Sequence, residues 1–344
     1  MSGPTGQTTT AVEAKGFKEG TGVQKKVLYG LLLLGLIAAP LAGAYPVFVL
    51  KVLCFALFAC AFNLLIGFTG LLSFGHAAFF GGAGYAAGHA MKVWGVTPEL
   101  GLIFGTLSGA AIGYVVGSLA IRRQGIYFSM ITLALAQMLF FFCLQVPMTG
   151  GEDGLQGIPR GKLLGVLPLS DDLTLYYVAL VIIVAAFALI VRTVHSPFGQ
   201  ILKAIRENEP RAISLGYDVD RFKLLAFVLS AALSGLAGSI KALVLGFETL
   251  TDVHWSMSGS VILMTLVGGL GTLSGPIVGA FVVVALENKL GDIGTFLASV
   301  TGLDWFNSLG ESVTMVTGVI FVICVLTFRR GLMGELIALT SRKK

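Results

Sequence analysis

The chain has 344 residues, 56% apolar and 12% charged, against roughly 25% charged in an ordinary soluble domain. That excludes a soluble globular fold and points to a polytopic membrane protein, because repeated apolar runs of about 20 residues match the bilayer's hydrocarbon thickness, where helices satisfy their own backbone hydrogen bonds. A formal charge of +5 could suggest a nucleic-acid partner, but the placement of the bases along the chain argues against one.

Residues 1–24 are rich in Gly, Thr and Ser without apolar periodicity, and read as a disordered cytoplasmic N-terminal tail. The apolar stretch Val27 to Ala44 ends in Ala42-Gly43-Ala44, a pattern like a signal-peptide cleavage site. Its core is longer than the about 7 to 15 residues of such a leader, so it reads as a first span. The spans expected are 27–45, 47–66, 71–91, 100–121, 126–147, 173–194, 223–246, 257–270, 275–290 and 311–328. The expected fold is all-α, a membrane helix bundle of about 8–10 spans in which the third, eighth and ninth are Gly-rich and short enough to be broken or re-entrant. The 46 glycines suit both close helix packing and broken helices. The membrane domain runs over 25–330, and 331–344 is expected to be a C-terminal tail.

With both termini inside, all the Lys and Arg except Lys51, Lys92, Arg160, Lys162, Lys241 and Lys289 fall on the cytoplasmic side. Lys51 and Lys241 sit near outer span ends where they can snorkel. This agrees with the positive-inside rule and accounts for the basic character without nucleic acid. The expected location is a bacterial inner membrane with both termini cytoplasmic. Cys54, Cys60, Cys143 and Cys324 lie inside apolar runs, without a CxxC pair, and read as small buried hydrophobes.

Two segments share G-x-L-S: Gly70 to Ser73 and Gly271 to Ser274. Ser73 and Ser274 suit helix N-caps, with Pro276 allowed in the first turn after the latter. The exposed amides of a broken helix favour an anionic group, so Gly70, Ser73, Gly271 and Ser274 are candidates for the translocation path. The alternative is that these glycines only let helices pack and turn tightly. Asn63, His76 and Gln137 are polar residues within spans, suited either to interhelical hydrogen bonds or to lining the path. The outer segments carry many acids, including Glu152, Asp153, Asp171, Asp172, Glu248 and Asp252. This face could steer a soluble partner with a basic rim, with Glu152 and Asp153 in TGGEDGLQGIP as the favoured patch.

The segment 195–222 is a charged insert between two apolar runs. Ile201, Leu202 and Ile205 fall on one helical face. Pro210 disfavours helix at Glu209 but suits the first turn of a new one, and Gly216 suits a left-handed cap. The insert reads as two short helices meeting at Asn208-Glu209-Pro210, an elbow suited to docking.

No GxxxxGK[ST] phosphate loop, H-E-x-x-H metal motif or G-x-S-x-G elbow occurs, and Ser73 with His76 has no acidic partner nearby in sequence of the kind a hydrolase needs. Neither enzyme chemistry nor a cofactor is expected, and any ATP must bind another polypeptide.

The run Ala204 to Glu209, followed by Ala212 and Gly216, resembles the coupling loop of bacterial ABC-importer permeases, in particular the longer permease subunit of branched-chain amino-acid transporters. The resemblance continues in 63–85, 149–159, 222–240 and 266–280. It departs from the importer E-A-A-x-x-x-G signature, whose first position falls on Pro210 rather than Glu. It implies that Arg206, Glu207, Asn208, Glu209, Ala212 and Gly216 couple to the ATPase. It also implies a second homologous permease subunit, two ATP-binding subunits and a periplasmic substrate-binding protein as partners, with lipid around the spans. The mechanism implied is alternating access, carrying branched-chain or related amino acids. The alternatives are another small solute (urea, short amides or aromatic acids) or an ion-coupled secondary transporter. The latter requires a buried acid, and Glu287, nearest to such a position, sits at an outer span end.

Overall fold

The computed structural model describes residues 45–163, 165, 167–301, 313–327 and 331–335, with 30, 33–40 and 43 besides. In the N-terminal unit, Met1–Ala44, residues 33–38 are helical. The 1–24 tail and most of the expected first span lie outside the described residues.

The second unit is helical, with four two-residue strands among its described residues. Its first helices are α1 (Pro46–Thr69), α2 (His76–Lys92), α3 (Pro98–Ala120), α4 (Ile126–Gln145) and α5 (Asp172–His195). The elbow supplies α6 (Pro197–Glu207) and α7 (Glu209–Ser214). The remainder are α8 (Val219–Leu245), α9 (Leu250–Val253), α10 (Trp255–Gly268), α11 (Gly275–Thr301) and α12 (Val313–Thr327). Five of these, α1, α3, α4, α5 and α8, are long and apolar enough to cross a membrane. Proline opens α1, α3 and α6, where its missing N–H costs nothing. Left-handed glycines, Gly70 at φ +77° and Gly246 at φ +76°, end α1 and α8.

The core is built on α1 and α8, and α8 packs against α1, α2 and α3. Gly101, Gly105, Gly109, Gly113 and Gly117 recur every fourth residue along α3. A Cβ at Gly105 would stand 2.0 Å from Ser239 Oγ, and one at Gly113 2.3 Å from the Ala231 Cβ. This glycine row lets two backbones approach closely. Cys54, Cys60 and Cys143 are buried and free, as expected.

Several boundaries and caps differ from expectation. The third span begins at His76, not at residue 71. The ninth reaches Thr301 rather than ending near 290. Ser73 is not the N-cap of α2, which is Gly75; its hydroxyl accepts from the Gly75 amide in a tight local turn (3.2 Å). At the start of α11 Ser274 stands at the expected N-cap position, its carbonyl accepting from the Val278 amide (3.3 Å), while the Gly275 amide is taken by Thr272 Oγ1 (3.1 Å). Residues 331–335, expected as part of a tail, are helical. A Cβ at Gly331 would meet Gly269 Cα at 2.5 Å, so the tail's first turn is packed on the bundle.

Segment 70–75 is non-helical chain running back into the bundle. His76, at its end, bonds through Nε2 to Ser230 Oγ (2.9 Å), and Ser230 donates to Ala61 O (2.5 Å). Ala61 lies eight residues before the end of α1, about 12 Å deep at 1.5 Å per residue. Irregular backbone at such depth must have its polar groups satisfied by protein. Thr132 Oγ1 accepts from the Phe74 amide (3.2 Å), Ser129 donates to Leu72 O (2.6 Å), and Ser258 accepts from the Ala77 amide (2.9 Å). The third hydrophobic run is thus a broken helix sealed by hydroxyls from α4 and α10.

Candidate functional site

The elbow forms as its sequence dictates. Ser196 caps α6 by accepting from the Gly199 amide (3.3 Å), and Asn208 caps α7 by accepting from the Arg211 amide (3.1 Å). Gly216, at φ +86°, turns the chain toward α8. Ile205, Ala212 and Val219 form a small buried cluster with Ile201 and Phe222, the inward face of the elbow.

The charged residues of the elbow divide by direction. Glu209 faces the chain's own membrane domain: it pairs with Lys223 of α8 (2.7 Å) and accepts from Gln124 Nε2 of the α3–α4 turn (3.1 Å). Arg206 Nη1 donates to Gly67 O in the last turn of α1, where helix carbonyls lack intrahelical partners and carry partial negative charge. Ala212 is buried. Of the six residues that the coupling-loop resemblance implies, Arg206, Glu209 and Ala212 therefore brace the elbow from within, and Asn208 shapes it. Glu207 and Gly216 are exposed. Sequence reasoning passed over the exposed apolar side chains beside them, Ile213, Leu215 and Tyr217, although apolar residues in a water-facing insert are a signal of contact.

Both G-x-L-S turns meet the elbow. A Cβ at Gly70 would lie 3.3 Å from Arg206 Cγ, and one at Gly271 (φ +73°) would lie 3.2 Å from Arg206 Nη1. Asn63 of α1 reads the second turn on two sides: Nδ2 donates to Thr272 O (2.8 Å), and the Gly271 amide donates to Oδ1 (3.0 Å). Thr69, Gly70, Leu71, Gln124, Gly125, Arg206, Glu209 and Lys223 line a cavity of about 260 Å³ under the elbow. Asn63, Ser73 and His76 are buried with partners inside the chain; Ser274 is partly exposed. In this conformation the two turns are brought together at the elbow.

The opposite end carries a second charged group. Lys241, expected to snorkel at an outer span end, is instead buried between Asp252 and Glu248, 3.4 Å from the latter. The cause is local: Gly246 ends α8 and reverses the chain, so Glu248 returns over Lys241, and Gly84 of α2 has no Cβ to obstruct the carboxylate. Asp252 also accepts from the Thr249 amide (3.2 Å) and hydroxyl (2.6 Å). Burial, opposed by the Lys241 ammonium and reinforced by Asp252, pushes the Glu248 carboxyl well above the usual carboxylate range. Leu155 and Gln156 pair antiparallel with Glu248 and Phe247, which ties the 146–171 loop to this end. Glu152 and Asp153 are exposed on a 3-10 turn of that loop. Among the described residues no cluster of His, Cys, Asp or Glu could hold a metal.

Comparison with known proteins gives a consistent picture. The family described as "Branched-chain amino acid transport system / permease component" matches residues 44–327. The "High-affinity branched-chain amino acid transport system permease protein LivM" of Salmonella typhimurium is 26% identical over 81% of this chain and 71% of its own length. Its Escherichia coli counterpart has the same identity and coverage. The "Autoinducer 2 import system permease protein LsrC" of Klebsiella pneumoniae is 29% identical over 54% of this chain and 53% of its own.

Proposed function

The chain belongs to the permease-component family of branched-chain amino acid transport systems, and from that premise we propose that it is the membrane-spanning permease of an ATP-binding-cassette importer for branched-chain or related amino acids. It is not itself an enzyme. Separate ATPase subunits drive it between outward-open and inward-open states. Both termini lie in the cytoplasm, on the side of the elbow.

The observation that carries this reading is the elbow. Its inner face is bound to α1, α8 and the α3–α4 turn, while Glu207, Ile213, Leu215 and Tyr217 face outward. A structure anchored on one side and open on the other suits transmission of force from a docked motor subunit. The second permease subunit is expected along α4. There Met130, Ala134, Met138 and Phe141 form an uncovered stripe, and Gln137, midway along the span, has no hydrogen-bond partner among the described residues. A polar side chain at that depth faces protein or a cavity rather than lipid. Glu152 and Asp153 suit docking of a binding protein with a basic rim.

The test is co-purification and transport by the complex with its second permease, ATPase subunits and binding protein. Ile213→Asp combined with Leu215→Asp should leave the permease in the membrane but release the ATPase subunits. Wild-type complex in proteoliposomes should take up radiolabelled leucine with ATP hydrolysis stimulated by the loaded binding protein. Retention of the ATPase by the double variant would remove the elbow from the docking role, and absence of leucine uptake would move the reading to another solute.

A further inference from the structure

Arg206 sits at the end of α6, where an outward side chain would reach the motor subunit, yet it points back to α1. Its Nη1 donates to Gly67 O. Its stem passes over Gly70, and its head passes over Gly271. Each glycine has positive φ and leaves room that a methyl group would fill to 3.2–3.3 Å from the arginine. Asn63, one turn before Gly67 on α1, holds the Gly271 amide and the Thr272 carbonyl, while Thr272 Oγ1 accepts from the first amide of α11. Arg206 therefore ties the elbow to the last turns of α1, and Asn63, one helical turn away on α1, ties them to the start of α11. The turn there, between α10 and α11, contains two glycines in conformations that other residues rarely adopt, Gly269 at φ +120° and Gly271 at φ +73°. Such positions absorb changes in backbone angle readily.

Resting on the importer reading above, we propose that Arg206 is a positioning residue that transmits elbow movement, through Gly67 and Asn63, to the Gly269–Gly275 turn, and so swings α11 when the motor subunits close. This assigns Arg206 to the permease's own hinge rather than to the ATPase interface. It also gives the two G-x-L-S turns one shared role, as the two seats of a single arginine.

The test uses the assembled complex in proteoliposomes, reading radiolabelled leucine uptake and ATP hydrolysis together. Arg206→Met retains most of the stem's bulk and removes the donors. It should leave complex yield and thermal midpoint near wild type and lower leucine transported per ATP hydrolysed by tenfold or more. Arg206→Lys, which can still reach Gly67 O with one donor, should restore part of that ratio. An unchanged ratio in Arg206→Met would overturn the proposal. Failure of Arg206→Met to retain the ATPase subunits would overturn it equally, because Arg206 would then be an interface contact. Failure of the wild-type complex to couple ATP to uptake would instead strike the importer reading.

Discussion

The two ends of the bundle use charge in opposite ways. At one end Lys241, Glu248 and Asp252 are almost wholly removed from water, at 4%, 0% and 4% exposure, and join α8 to the turn that follows it. At the other, Arg206 is exposed at the elbow, and Glu209 keeps a side chain 23% exposed while its partner Lys223 is buried at 4%. Desolvated charges are costly to separate, since each partner left alone stays buried and uncompensated. A pair in which one partner still touches water parts at lower cost, because water can take up that partner. The contrast assigns rigidity to the Lys241 end and movement to the elbow end.

The largest effect that could break this contrast is at Lys241. Lys241→Met leaves two carboxyl groups facing one another in a dry site, and loss of about 3–5 kcal/mol is expected for a buried charge deprived of its partner. Thermal unfolding of the detergent-solubilised protein should show a collapse of stability, partly restored by Asp252→Asn in the same chain. A midpoint within a degree or two of wild type would mean that the cluster does not hold this end together.

A pH titration sharpens the same point. Two acids and one base share the Lys241 site, with Tyr85, Cys54 and Cys143 the other titratable groups that interact with Glu248. Glu248 Oε1 has no partner among the described residues. Its carboxyl is raised in the folded protein relative to about 4.3 unfolded, so the folded state holds the proton more tightly. The stability this provides is complete below the unfolded value and is lost as pH rises toward the folded one, at a limiting slope of about 1.4 kcal/mol per pH unit. Glu248→Gln, which imitates the protonated acid, should match wild type near pH 4 and lack the decline above it. Equal slopes for the two proteins would place the titrating group elsewhere.

Much of this was legible in the sequence, for identifiable reasons. Span positions follow from runs of hydrocarbon, and the two elbow helices follow from the Ile201, Leu202 and Ile205 face, Pro210 and Gly216, whose local chemistry acts within a few residues; the caps Ser196 and Asn208 are equally local signals that sequence reasoning passed over. What the sequence hid were partnerships across long separations. Asn63 meets residues 271 and 272, and His76 meets Ser230. Nothing in the local pattern of either strand of chain marks these pairs. Lys241 could have been suspected, since a base within the last turns of a span needs either water or an acid, and Glu248 and Asp252 follow it closely. The direction of Arg206 could not, because a helix-end arginine suits an outward and an inward contact equally.

The smallest effect tests the elbow end. Lys223 lies in the second turn of α8, near a helix N-terminus whose partial positive charge disfavours a cation, and Glu209 offsets that cost. Glu209→Gln keeps the shape and can still accept from Gln124, but leaves the buried Lys223 ammonium without its counter-ion; because Glu209 itself touches water, a loss below the about 3–5 kcal/mol of a fully buried pair is expected. The discriminating variable is salt. Raising ionic strength shortens the screening length from about 10 Å at 0.1 M to about 3 Å at 1 M, which weakens charge interactions open to water and leaves enclosed ones largely untouched. The difference in thermal midpoint between wild type and Glu209→Gln should therefore shrink as salt is added, whereas the deficit of Lys241→Met should persist. If salt instead reduced the Lys241 deficit and left the Glu209 difference intact, water would have access to the wrong end, and the assignment of the moving part would have to be reversed.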